Sequence, residues 1–338
     1  MGVVVVGFGA AIVYGAAQLG NIPRIACASC DERGDGAINV LVVGSDSRAP
    51  VADDAEEFGT TDIVSGQRSD TMMILRIEPN SDQPAAVLSV PRDLWVPIAS
   101  GGVNRINTAF ERGPDNLVRT IRGALGIPIH HYIEVDFAGF RDIVTAVGGV
   151  DVYFATPARD TVTGLQVDRA GCNELDGDQA LAYVRSRNYE TLVEGTWRAG
   201  GAGDLDRISR QQDFIRRVLG KVRKVRNPLT IHRLVTTGTS NVRLDKELSA
   251  RDIEGLALRF RTLVPTDVAM QTVPAVFDHE LINGRRASVL RVQQPQAREL
   301  VDRFLGRAAA PAPVATTTRV ARPPAGLVTT TTAPPRPC

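Results

Sequence analysis

Arginines and acidic residues are brought together at four places in this sequence. They are Asp46-Ser47-Arg48, Arg68-Ser69-Asp70, Pro91-Arg92-Asp93 and the stretch from Arg185 to Gln211. A guanidinium offers planar, paired donors that match phosphate oxygens, and carboxylates beside it supply hard oxygen ligands for a divalent cation. The combination points to pyrophosphate held together with Mg2+. Abundance does not carry the signal, because 36 arginines against 3 lysines is a bias spread over the whole chain. Placement does.

Three β-rich runs must position these clusters. Residues 37–43 (AINVLVV) are continuously apolar and end at Gly44, Thr71–Ile77 is a second run and Ala85–Val90 a third, with a Pro79-Asn80-Ser81-Asp82 turn between the last two. If the three alternate in direction, the end of the first, the start of the second and the end of the third meet at one end of a sheet. Those positions carry Asp46/Arg48, Arg68/Asp70 and Arg92/Asp93. Further on, Asp115–Leu125 reads as a helix, His131–Val135 as a short strand, Phe137–Val147 as a helix stopped by Gly148-Gly149, and Val150–Phe154 as a strand. Strands alternating with helices predict an α/β fold, a layered α/β/α domain around a central mixed sheet.

A helix beginning near Asp204 has two stripes. Leu205, Ile208, Gln212, Ile215, Leu219 and Val222 recur at core spacing, while Arg207, Arg210, Gln211 and Phe214 form a second stripe rotated by roughly 110°. A solvated face would not include Phe214, so the second stripe is expected to line a pocket. Arg185 and Arg187, two apart, are expected on one face of a strand, where like charges call for a bridging anion. Residues 249–306 supply a capped helix, a Val268–Val273 strand and a Gln296–Leu305 helix that complete the sheet and cover one face.

Net charge of +1 in 338 residues excludes the broad basic face of a nucleic-acid binder, so any anion site is local. Residues 2–20 are uncharged and mostly apolar, long enough to span a bilayer, and residues 1–22 are read as an uncleaved transmembrane anchor. Nothing basic precedes the run, as expected if the true start lies upstream. Residues 23–36 are read as a linker, 37–307 as the folded domain that carries the candidate site, and 308–338 (Ala/Pro/Thr-rich) as a disordered tail. Cys172 is expected in a disulfide, with Cys27, Cys30 and Cys338 all open as partners. The adjacent His130-His131 pair has no third ligand and is not read as a metal site.

At these residues the chain resembles the LytR-CpsA-Psr family of cell-wall proteins, actinobacterial type. The matching stretches are LVVGSDSR (41–48), RSDTMMILRI (68–77), LSVPRDLWV (88–96), RINTAF (105–110), VGGVDV (147–152), LDGDQALAYVRSR (175–187) and DLDRISRQQDF (204–214), so the core motifs span 37–226. The resemblance implies an extracellular domain on a single-pass anchor in the cell membrane. It implies transfer of a glycan phosphate from a polyprenyl-pyrophosphate carrier to a peptidoglycan hydroxyl, with the lipid tail in an apolar tunnel and Mg2+ at the pyrophosphate. A pyrophosphatase using water as acceptor, and a regulatory protein that only binds the lipid carrier, are the alternatives.

Carried over residue by residue, Asp46 and Asp70 match the metal-associated aspartates. Arg48, Arg68, Arg92, Arg105, Arg185, Arg187, Arg207, Arg210 and Gln211 match the pyrophosphate-binding positions, Arg105 standing where many relatives have Lys. Arg92, Asp206 and Asp70 are the catalytic candidates. Simpler readings stand beside these: Asp46 in an Asx-turn, Arg92 in a surface ion pair, and Asp206 with Arg210 as an ordinary i,i+4 helix pair.

Overall fold

The structure, a computed structural model, describes residues 22–31, 36–45, 69–78, 85–200, 204–224, 241–249, 252–253, 268–282, 284–307 and 338, and not the side chains of residues 69, 70, 204, 205, 223 and 224. Seven strands form the central sheet: β1 (Arg24–Ile25), β2 (Ile38–Ser45), β3 (Ser69–Ile77), β4 (Ala86–Ser89), β5 (His131–Asp136), β6 (Val242–Asp245) and β7 (Ala269–Thr272). Their lateral order is β1-β6-β5-β2-β3-β4-β7. The β2/β3 and β3/β4 pairs are antiparallel, while β5 runs parallel to β2 and β7 parallel to β4. The sheet is therefore mixed, as expected, and the three arginine-bearing strands do alternate in direction.

Among the described residues five α-helices cover it: α1 (Pro114–Leu125), α2 (Phe137–Ala146), α3 (Gly177–Arg185), α4 (Asp204–Lys224) and α5 (Gln296–Phe304). Side chains alternate across the strands, so one face and the other serve different cores. Leu41, Val43, Met72 and Ile74 pack with Leu117 and Ile121 of α1 and Val301 of α5. The opposite β3 residue Met73 packs with Val87, Met270 and Ile215 of α4. Val144, Phe154, Tyr183 and Phe214 join α2, α3 and α4 into a third apolar cluster. Helices lie on both faces, which gives the three-layer α/β/α arrangement.

Local chemistry sets the helix boundaries that matter to the site. Asp136 caps α2 by accepting the Gly139 N–H at 2.8 Å, and the helix gives way to Gly148 and Gly149, both at positive φ. Asp176 caps α3 in the same way through the Gln179 N–H at 2.9 Å. The last residues of β2, β5 and β4 and the first of β3 share one end of the sheet, since Ser45 pairs with both Ser69 and Asp136, and Met73 with Ser89.

Two expectations change. The segment expected as a linker belongs to the fold from Pro23 to Asp31: β1 pairs with β6, Cys27 and Cys30 are disulfide-bonded and packed on the α1 core, and Asp31 pairs with Arg122 at 2.8 Å. Arg185 is the last residue of α3, not part of a strand, and Arg187 lies in the following loop. Short apolar runs such as LAYVRSR fit either period, and the Asp176 cap decides for helix here. Of the expected anchor at residues 1–22, all but the buried Ile22 lies outside the described residues, as do tail residues 308–337. Among the described residues no helix is long and apolar enough to cross a membrane. Cys338 is bonded to Cys172, which settles the partner left open by spacing.

Candidate functional site: an arginine-rimmed apolar cavity

Between the sheet and the α2–α4 layer lies a cavity of about 550 Å³. Val42 and Met73 of the sheet, Phe140 and Ile143 of α2, and Ile215, Val218 and Leu219 of α4 give it apolar walls. Arg185, Arg187, Arg207 and Gln211 also line it, beside Gly44 and Thr71 at the sheet end described above. Polarity changes along α4: Arg207 and Gln211 come first and Leu219 last, an axial distance of about 18 Å at 1.5 Å per residue. The space is thus polar near the strand ends and apolar deeper in.

The guanidinium side of the cavity is held by a set of directional contacts. Arg210 donates to the Ser186 carbonyl and lies 4.8 Å over the Tyr189 ring. Arg185 lies 4.2 Å over the Phe137 ring, a cation–π contact that leaves its N–H edges for other acceptors. Arg207 is only 3% exposed although it carries a charge. Gln211 donates to the Thr71 hydroxyl at 2.9 Å and the Val184 carbonyl at 3.1 Å, tying α4 to β3 and to the end of α3. Its neighbour Gln212 reaches Ser89 of β4 and Thr272 of β7. Burial lowers the pKa of Arg210, while Tyr183, Tyr189, Asp206 and Asp160 oppose that shift.

Asp160, which the sequence reading passed over, is the acidic counterpart of this cluster. It is fully buried, lines the cavity, and accepts from the Ser186 hydroxyl at 2.6 Å and the Asn188 N–H at 2.9 Å. Burial alone would raise its pKa, but the Ser186 hydroxyl and the backbone N–H groups of Val162, Asn188 and Thr163 hold the carboxyl below the ordinary range. The Asp-x-x-x-Gly pattern at 160–164 was readable as a turn. Nothing in it announced a contact with residues 186–188.

The remaining candidates divide. Arg185, Arg187, Arg207 and Gln211 come together on the cavity, and Arg210 braces the loop between the first two. Arg92 and Arg105 are not in its lining. Both face Asp93, at 3.6 Å and 3.5 Å, and Arg105 also donates to the Ser288 carbonyl at 2.7 Å. Asp206 sits one turn before Arg210 on α4 and acts on its charge. Asp46, Arg48 and Arg68 lie outside the described residues. Asp70 is placed on β3 by its backbone, beside Thr71, and its side chain lies outside them too. His130 and His131 diverge: the His130 ring accepts the Asn39 N–H at 2.8 Å, and His131 meets Asp245 at 3.1 Å. Among the described residues no group of three or more His, Cys, Asp or Glu forms a metal cluster.

A model of the LytR_cpsA_psr family matches residues 20–304, which includes every element around the cavity. The chain belongs to the LytR-CpsA-Psr family. It is 40% identical over 183 residues to the "Probable cell wall biosynthesis protein LcpB" of Corynebacterium glutamicum, covering 54% of this chain and 41% of that protein. It is 30% identical over 200 residues to the polyisoprenyl-teichoic acid–peptidoglycan teichoic acid transferase TagV of Bacillus subtilis, covering 57% and 47% respectively. The chain therefore spans about half the length of these curated relatives. Among solved structures, the LytR-Csp2A-Psr enzyme from Actinomyces oris superposes with a TM-score of 0.65 at 25% identity, covering 84% of this chain and 95% of that one. The mixed central sheet is thus that of the LytR-CpsA-Psr fold.

Proposed function

We propose that this chain transfers a glycan phosphate from a polyprenyl-pyrophosphate carrier to a peptidoglycan hydroxyl, forming a phosphodiester, at the outer face of a membrane in which residues 1–22 anchor it. The observation that carries this reading is that one cavity is lined both by apolar side chains and by Arg185, Arg187 and Arg207. A soluble phosphate ester would need only the arginines. An amphiphile with a pyrophosphate head needs both, because its tail must leave water while its charge is neutralised.

In this reading the acceptor hydroxyl attacks the glycan-side phosphorus, the bond to the bridging oxygen breaks, polyprenyl phosphate leaves, and the hydroxyl proton passes to solvent. Phosphoryl transfer depends mostly on positioning and charge stabilisation. Arg185, Arg187 and Arg207 hold the head group, Arg210 and Gln211 fix the elements that carry them, and Asp206 supports Arg210. Asp46 and Asp70 are hard oxygen donors at sequence positions next to Ser45 and Ser69, which pair across β2 and β3, a donor set that fits Mg2+. Bound there, the ion would polarise phosphoryl oxygens. Arg92, paired with Asp93 just beyond the end of β4, is the further catalytic candidate at that end of the sheet.

The test is incubation of the full chain with a polyprenyl-pyrophosphate-linked glycan and a peptidoglycan acceptor. Release of polyprenyl phosphate with glycan attached to the acceptor supports transfer. Hydrolysis without attachment favours the pyrophosphatase, and binding without turnover favours the lipid-binding regulator. Asp70→Ala is expected to abolish transfer while retaining binding of the lipid, because the arginines grip the ground state whereas a cation held by Asp70 would matter most as charge develops. Wild-type turnover by Asp70→Ala overturns the metal assignment.

A further inference from the structure

Asp160 stands out as a fully buried carboxylate whose hydrogen-bond donors are all neutral. Its two oxygens do different work. Oδ1 accepts the N–H groups of Val162 and Thr163, at 2.9 Å and 3.2 Å, and so fixes its own turn. Oδ2 accepts the Ser186 hydroxyl at 2.6 Å and the N–H groups of Arg187 and Asn188, at 3.1 Å and 2.9 Å. Those three consecutive residues leave the end of α3, where the chain must turn away from the helix and still present Arg187 to the cavity. Three donors converging on one oxygen specify a backbone course far more tightly than a single cap does.

We propose that Asp160 is a positioning residue: through Oδ2 it fixes the Arg185-Ser186-Arg187 segment so that both guanidinium groups face the pyrophosphate of the lipid carrier. Ser186 is the relay. Its hydroxyl goes to Asp160 and its carbonyl to Arg210, so one residue connects the carboxylate to a guanidinium on α4. A carboxylate suits this task better than a carboxamide. Replacing Oδ2 by an NH2 group would set a donor against the Arg187 and Asn188 N–H donors and leave them unsatisfied in a buried place. This inference rests on the pyrophosphate reading of the cavity for its ligand, but not for its geometry.

The experiment has two arms on the full chain. In the first, geranyl pyrophosphate is titrated against wild type, Asp160→Asn, Arg187→Ala and the double variant. Asp160→Asn is expected to weaken binding about tenfold, the equivalent of about 1.4 kcal/mol, in the range of a hydrogen bond to a charged group. In the Arg187→Ala background the same substitution is expected to cost at most about threefold. A purely structural role would give additive losses, and additive losses overturn the proposal. In the second arm, amide hydrogen exchange at Arg187 and Asn188 is compared between wild type and Asp160→Asn. Loss of protection there, with the α1 amides unchanged, is expected, and retained protection overturns the positioning role. If wild type binds no geranyl pyrophosphate, the functional reading falls, and the exchange arm still decides whether Asp160 holds the segment. If Asp160→Asn does not fold, Ser186→Ala tests the same relay with one hydrogen bond removed.

Discussion

The side-chain amide of Gln211 lies 2.9 Å from the hydroxyl of Thr71, a contact between residues 140 apart in sequence. It joins the first turns of α4 to the start of β3, next to Asp70, and the same amide donates to the Val184 carbonyl at the end of α3. Three elements of the site are thus registered by one side chain that is itself only 7% exposed. Gln211→Leu keeps the approximate volume but leaves that buried carbonyl without its donor, at a cost of about 1–3 kcal/mol. Urea denaturation is expected to show a loss in that range with an unchanged m-value. A loss below about 0.5 kcal/mol, the level of an ordinary surface substitution, would show that the contact does not register the elements.

Arg187 and Arg105 are both arginines of the matched motifs, yet their surroundings differ. Arg187 lines the cavity, whereas Arg105 is engaged by Asp93 and the Ser288 carbonyl. Arg187→Ala is therefore expected to weaken geranyl pyrophosphate binding by tenfold or more, the loss of a charge-assisted hydrogen bond of about 1.5–3 kcal/mol. Arg105→Ala is expected to change the same affinity by less than about threefold and to act on thermal stability instead. Equal losses in the two variants would place Arg105 in the head-group site after all.

The strands β2, β3 and β4 were legible because each run is apolar, short and closed by turn residues. Their alternation in direction was only a condition, since residues 49–67 could have crossed over, and the antiparallel pairing in the structure supplies it. The two stripes of α4 were legible for a similar reason: helical period separates them cleanly. The division of labour between the stripes was not. Ile215 and Leu219, read as core, also wall the cavity, since a lining that must solvate a hydrocarbon has the same composition as a core. Asp160 escaped because its distant partners, the Ser186 hydroxyl and the backbone N–H groups of Arg187 and Asn188, lie 26 to 28 residues away, and neither a lone serine nor a backbone donor marks such a pairing in the sequence. The docking of Cys27, Cys30 and Asp31 escaped because a segment so short gives no periodicity, and its pairing with β6 depends on tertiary position.

The ionisation of Asp160 yields a stability prediction with a definite sign. Its folded-state pKa lies below the ordinary carboxylate value of about 3.9, because burial, which raises it, is outweighed by the Ser186 hydroxyl and three backbone N–H groups. The charged form is therefore favoured by folding. Its contribution is complete above the unfolded-state pKa and is lost as pH falls through the folded one. The stability gap between wild type and Asp160→Asn is expected to be constant from pH 7 to about pH 5 and to narrow below about pH 4. Denaturation curves for both proteins at pH 7, 5, 4 and 3 measure it. A gap of the same size at pH 3 would mean that the charge is not what holds the turn.

A last prediction separates a lipid ligand from a soluble one. Leu219 lies on the deep side of the cavity, about 18 Å along α4 from Arg207 and clear of the guanidinium groups. Leu219→Trp puts an indole into that space without altering any charge at the polar end. Each methylene kept from entering forfeits about 0.8 kcal/mol of burial, so excluding even one five-carbon isoprene unit costs several kcal/mol. Affinity for a long polyprenyl pyrophosphate is expected to fall by a hundredfold or more, while affinity for inorganic pyrophosphate stays within about twofold of wild type. The comparison is internal, because both ligands meet the same arginines and only one needs the apolar depth. An overpacked or unfolded variant would lose both ligands together, and Leu219→Phe then supplies the milder test. If filling the depth leaves the long-chain ligand bound as tightly as before, the cavity is not where the lipid tail resides, and the arginines serve a ligand that ends at its phosphates.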